Sequence, residues 1–177
     1  SWARAFNVSN IDASNEKALR DTRSPDSSLG QQAFRSESVF NFYRPGYVPS
    51  GTNAGERSMT VPEFQIVNEG STIGYMNFML RFAFDFNSHR EAEYDTYKPD
   101  YSDEIALADD PAALVDHLDN LLTGGRISDQ ERLEIMIILD SIEINLSNAQ
   151  MALEDRDARV KTAIFLIVNS PSYVLTW

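Results

Sequence analysis

Residues 72–86 read TIGYMNFMLRFAFDF, fifteen residues without a proline. Ile73, Met76, Met79, Leu80, Ala83 and Phe84 recur at intervals of three and four, the period of one helix face. Phe78, Phe82 and Phe86 add a second apolar stripe at spacing four, so this helix is expected to be buried on more than one side. Ser71 or Thr72 is the expected N-cap, and Gly70 lets the chain turn in ahead of it. The stretch therefore predicts the central helix of a helical core.

Outward toward the C-terminus, three more helices are signalled. Asp110-Pro111 reads as an N-cap followed by proline at the first helical position. Leu114, Val115, Leu118, Leu121 and Leu122 then form one face, and Gly124-Gly125 ends it. Ser128-Asp129-Gln130-Glu131 is a capping box in sequence. The helix it opens carries Leu133, Ile135, Met136, Ile137, Ile138, Leu139 and Ile142, which predicts burial rather than a surface position. A last helix is expected from about Leu153 to Val168, acidic at its start, as the helix dipole favours, and stopped by Pro171. Ile164 to Val168 is β-branched enough to read as a strand, but the length and charged lead-in of the segment favour helix.

Between the central helix and these three, residues 85–110 carry nine acids, three tyrosines and a proline with no sustained period, and read as a long acidic loop. Outward toward the N-terminus, one or two short helices are expected before about Asp21, with Asp12 a candidate cap, and a loop over Thr22 to Gly30. A short helical stretch is expected around Ser36 to Phe42. Two prolines and two glycines in residues 44–51 then exclude regular structure, and the polar run to about Thr60 reads as an exposed, mobile loop. The whole predicts an all-α fold, an irregular bundle of four to six helices around a buried central one, in a single domain over residues 1–177.

Composition narrows the function classes. The 177 residues are 42% apolar and 24% charged, enough for a sizeable core. Net charge is −12, which repels a phosphate backbone and argues against nucleic acid as a partner. No apolar run reaches the roughly 20 residues that span a bilayer. With no cysteine, thiolate catalysis, disulfides and cysteine-ligated metals are excluded. The charge is uneven. Residues 1–57 hold seven basic and six acidic side chains, whereas 58–177 hold eight and twenty-one. The first third is expected either to lie over the acidic remainder or to contact other parts of a parent chain or copies of itself. Ser1 in place of methionine, without a signal-peptide pattern, reads as a processed product or a piece of something longer.

Phosphate-binding glycine loops, a GxSxG elbow, HExxH and an EF-hand loop are absent from the text. His117, beside Asp116, is expected on the polar, solvated side of its helix, and His89 lacks a second histidine for zinc. Calcium is conceivable in the acidic segment through Asp95, Asp100, Asp103 and Glu104, which would support calcium-dependent adhesion, although a solvated acidic loop is the plainer reading. The constellation that stands out is SVFNFYRPGYVP, residues 38–49, with VPEFQIVNE, residues 61–69. Here aromatic rings would anchor each turn. Asn41, Arg44, Glu63, Gln65 and Asn68 would satisfy irregular backbone groups or, on the functional alternative, line the small pocket of a hydrolase or carbohydrate-handling enzyme.

These two stretches, with Asn169-Ser170-Pro171-Ser172-Tyr173 near the end, resemble a bacterial family known as domain of unknown function 1800. Its pattern runs S-V-F-N-F/W-Y-x-P-x-Y-x-P, then P-E-F-Q-I-x-N, then a helix ending near S-P-x-Y/F. Glu69-Gly70 and the acidic segment depart from it. The resemblance implies a largely helical C-terminal portion of a longer exported protein, periplasmic, cell-surface or secreted. It brings no activity, cofactor or catalytic residue. The expectation is a non-enzymatic structural or interaction module of the cell envelope or secretome.

Overall fold

The computed structural model describes residues 5–6, 9–10, 29–31, 36, 38–39, 42, 44–65, 69–84 and 97–174. In chain order its elements are β1 (Ser9–Asn10), α1 (Asn53–Glu56), a 3-10 turn (Pro62–Gln65), α2 (Glu69–Ala83), β2 (Tyr97–Lys98), α3 (Ser102–Leu107), α4 (Pro111–Leu122), α5 (Asp129–Asp140), α6 (Ala149–Val168) and α7 (Pro171–Val174). The fold is all-α, with five helices longer than one turn among the described residues, inside the expected range. β1 pairs with β2, antiparallel, with Ser9 opposite Lys98 and Asn10 opposite Tyr97. The chain divides into two compact units, Leu19–Phe78 and Ser1–Ala18 with Met79–Trp177.

In the larger unit, local signals set the helix ends. Asp110 accepts from the Ala112 and Ala113 amides at 3.0 and 3.2 Å and caps α4. Gly124 and Gly125, both at positive φ, end the turn after it, a conformation costly for any residue with a Cβ. Ser128 and Glu131 form the reciprocal capping box of α5. Asn148 caps α6 through the Gln150 and Met151 amides, so this helix starts four residues before the predicted Leu153. Ile164 to Val168 is helical, not a strand.

Packing departs from the sequence reading. The most deeply buried helix is α6, not the 72–86 segment. Val160, Ala163, Ile164, Ile167 and Val168 recur at intervals of three and four and are fully buried, and α6 meets both α4 and α5. Leu114, Val115 and Leu118 of α4 and Leu139 of α5 complete that core. Each of these valine, leucine and isoleucine side chains contributes about 1.5–3 kcal/mol. By contrast, Ile73 and Met76 of α2 are 53% and 44% exposed. An apolar stripe records that a helix has a burial face, not how much of it the remaining chain covers. The α2 helix also starts earlier than predicted, at Glu69, so Ser71 and Thr72 lie inside it rather than at its cap.

Two further expectations are corrected. The acidic segment is not loop throughout: residues 102–107 form α3, because Ile105, Leu107 and Ala108 pack into the core. Its N-terminal approach is tied down by Phe6, whose ring meets Tyr101 edge-on at 5.0 Å and whose carbonyl accepts from the Asp100 amide at 3.0 Å. The Tyr101 hydroxyl donates to the Ala83 carbonyl at 3.2 Å, joining α3 to the end of α2. The helix of 129–140 is not buried all round either, since Leu133 and Ile137 are 60% and 69% exposed. The expected helices before Asp21 lie mostly outside the described residues, and at 36, 38, 39 and 42, the described positions of the Ser36 to Phe42 stretch, the backbone is not helical.

In the smaller unit, residues 44–61 are more ordered than a mobile loop. Thr52 donates to the Pro49 carbonyl at 2.9 Å and accepts from the Gly55 amide at 3.0 Å, nucleating α1. The Met59 amide reaches back to Ala54 at 2.9 Å, and Val61 to Tyr47 at 2.9 Å. Residues 44–51 contain only turns, as two prolines and two glycines require.

Candidate functional site

Of the five residues read from the aromatic ribbons, the structure brings two together. Pro62 starts the 3-10 turn that carries Gln65, and the Gln65 Oε1 accepts from the Arg44 backbone amide at 2.7 Å. The Arg44 carbonyl in turn accepts from Tyr47 at 3.1 Å. An amide side chain thus satisfies an N–H that the Arg44-Pro45 break leaves without a helical or ladder partner. Arg44 is exposed at the surface. Asn41, Asn68 and the Glu63 side chain lie outside the described residues.

Among the calcium candidates, Asp95 lies outside the described residues. Asp100 accepts from both the hydroxyl and the amide of Ser102, at 2.5 and 3.0 Å, and those bonds hold its carboxyl below the usual range. Asp103 is exposed on α3. Glu104, one residue on, is buried and turns instead to His117 Nε2, 2.9 Å away on α4. The His117 side chain is 37% exposed, so it keeps the solvent contact expected of it, and it also supplies the partner of a buried Glu104. No group of three His, Asp or Glu side chains able to hold a metal ion occurs among the described residues.

The polar clusters that the structure does assemble were not legible as sites in the sequence. Asp119, buried on α4, accepts from the Ile127 amide at 3.1 Å, from the Thr123 hydroxyl, and from Arg132 of α5 at 3.0 Å. Arg132 also pairs with Asp116. One carboxylate therefore organises the whole α4–α5 turn, and nothing in the spacing of Asp119 separates it from the exposed acids around it. Arg159 is a buried cation on α6 that donates to the Ala108 carbonyl at 2.9 Å and to the Ile142 carbonyl. It fastens the end of α3 and the turn after α5 to the central helix. At the surface nearby, Arg156 grips Asp109 with two bonds of 2.8 and 2.9 Å, which lower the Asp109 carboxyl and raise the Arg156 guanidinium.

The third cluster joins two of the sequence signals. Glu131, already the capping-box acid of α5, also accepts from Ser172, at 2.7 Å from the hydroxyl and 3.3 Å from the amide. Ser172 lies in the Ser170-Pro171-Ser172-Tyr173 segment, where Pro171 opens α7 and the Ser170 carbonyl accepts from Tyr173 and Val174. Burial works to raise the Glu131 carboxyl, but hydrogen bonds from the side chains and amides of Ser128 and Ser172 outweigh it and bring it down to about 2. Burial of the neighbouring Tyr173 ring pushes its hydroxyl up. A residue that looks like an ordinary cap thus locks the C-terminal motif onto the bundle.

Chemically, the carboxylates of these clusters are closed off by their partners, whereas the buried Nε of Arg159 has no hydrogen-bond partner among the described residues. Each buried carboxylate is matched to donors on its own chain, an arrangement that rigidifies helix junctions. Among the described residues no helix is long and apolar enough to cross a membrane. No curated protein and no solved structure matches the chain. The sequence motifs at residues 38–49, 61–69 and 169–173 meet a family model that spans residues 1–175, and the chain belongs to that family, described as protein of unknown function (DUF1800).

Proposed function

We propose that this chain is a non-enzymatic structural and interaction module of an exported bacterial protein, acting at the cell envelope or outside the cell. The observation that carries the reading is the bond from the Arg44 amide to Gln65 Oε1: a polar group of the aromatic ribbons is spent on the backbone of the fold. The closed clusters at Glu104, Asp119 and Glu131 point the same way, because charged groups committed to capping and junctions are not held ready for a substrate. The export part of the reading rests on the resemblance alone.

Two measurements test it. Gln65→Ala is expected to speed exchange of the Arg44 amide and to lower stability by about 1 kcal/mol, the range for a lost hydrogen bond. An unchanged exchange rate would contradict the structural role. Fractionation of cells expressing the tagged natural protein should recover it from the envelope or the medium, and recovery in the cytosol alone would overturn the export reading.

A further inference from the structure

We infer that the outward face of α5 is a docking surface for a basic amphipathic helix. This names the partner class for the interaction module proposed above, and it rests on that reading. Twelve residues of α5 include six large apolar side chains, and the core takes only part of them. Ile135 and Leu139 are buried and Met136 packs against the core, while Leu133, Ile137 and Ile138 stay open. Leu133 and Ile137 are one turn apart, so they form a continuous ridge of the kind that anchors a crossing helix.

The charges around that ridge choose the occupant. Asp129 lies one turn before Leu133, Glu134 beside it, and Asp140 beyond Ile137, and all three are exposed. The helix has one basic residue, Arg132, and it is already committed to Asp116 and Asp119 on the neighbouring helix. The face is therefore apolar along its middle and acidic along its edges, with no free cation. A second copy would bring the same acids against these, which repel. A helix with Leu or Ile at every third and fourth position and Lys or Arg beside them meets both the ridge and its rim.

The test uses the full 177-residue chain and an 18-residue probe peptide of leucine and lysine at helical spacing, labelled for fluorescence anisotropy. Because an acidic protein attracts any cation, the deciding comparison is Leu133→Ser/Ile137→Ser, which leaves the charge unchanged. These side chains are exposed, so the variant should fold and melt like the parent. The double variant is expected to bind about tenfold or more weakly, from the loss of two aliphatic anchors. A scrambled peptide of the same composition should bind like the double variant. Equal binding by parent and variant would overturn the inference. So would self-association of the parent, seen in sedimentation and abolished in the variant, because it would give the face to a second copy. Neither outcome touches the Arg44–Gln65 bond or the localisation, so this inference and the structural reading fail separately.

Discussion

Glu131 carries three duties on one carboxylate: it caps α5, accepts from the Ser172 hydroxyl and accepts from the Ser172 amide. Its carboxyl sits at about 2 in the folded chain against an ordinary value of 4.5. The depressed value means that the folded form binds this proton more weakly than the unfolded form does. The stability it supplies is therefore present above about pH 4.5 and is lost as pH falls through about 2. Glu131→Gln should cost about 1–2 kcal/mol at neutral pH, allowing for partial exposure. The gap between parent and variant should close between those two pH values, as read by thermal melts of both proteins across the range. A gap independent of pH would mean that Glu131 acts by shape and not by charge.

Among the short elements, α1 shows how a stretch without a sequence period becomes ordered. A Cβ placed on Gly55 would lie 1.9 Å from the Pro49 carbonyl oxygen, a backbone atom that cannot swing aside. Gly55→Ala is expected to push the 49–55 turn apart and cost about 1–3 kcal/mol locally, seen as faster exchange of the Met59 amide that bonds to Ala54. Gly46→Ala, with nothing within 4 Å of the added carbon, should change that rate little. Equal effects at both positions would remove the close approach as the reason for glycine at 55. The approach of Gly55 to Pro49 was not legible, because it depends on atoms six residues apart in a chain that no period describes.

For the molecule as a whole, burial of isoleucine divides residues that look alike in the sequence. Ile164 of α6 is fully buried, whereas Ile137 of α5 is mostly exposed. Ile164→Ala should destabilise the larger unit by about 2–5 kcal/mol, and Ile137→Ala should stay within about 0.5 kcal/mol. Chemical denaturation of the two variants checks both, and similar losses would mean that the α5 face is covered in solution.

The existence of α2, α4, α5 and α6, both ends of α4 and the start of α5 follow from neighbours in the chain. Asp110-Pro111, the Ser128 to Glu131 box and Gly124-Gly125 act within four residues of themselves, so they could be read without coordinates and hold in the structure. The all-α class and the family motifs were legible for the same reason. Which helix sits at the centre was not, because an apolar face on α2, α5 or α6 carries no mark of what lies opposite it. The partners of Glu104, Asp119 and Glu131 were equally hidden, since His117, Arg132 and Ser172 are thirteen to forty-one residues away. A capping bond is made by adjacent atoms of one segment. A buried carboxylate is matched only when packing brings distant segments together, and that step gave this chain its closed polar junctions and left one ridge of α5 open.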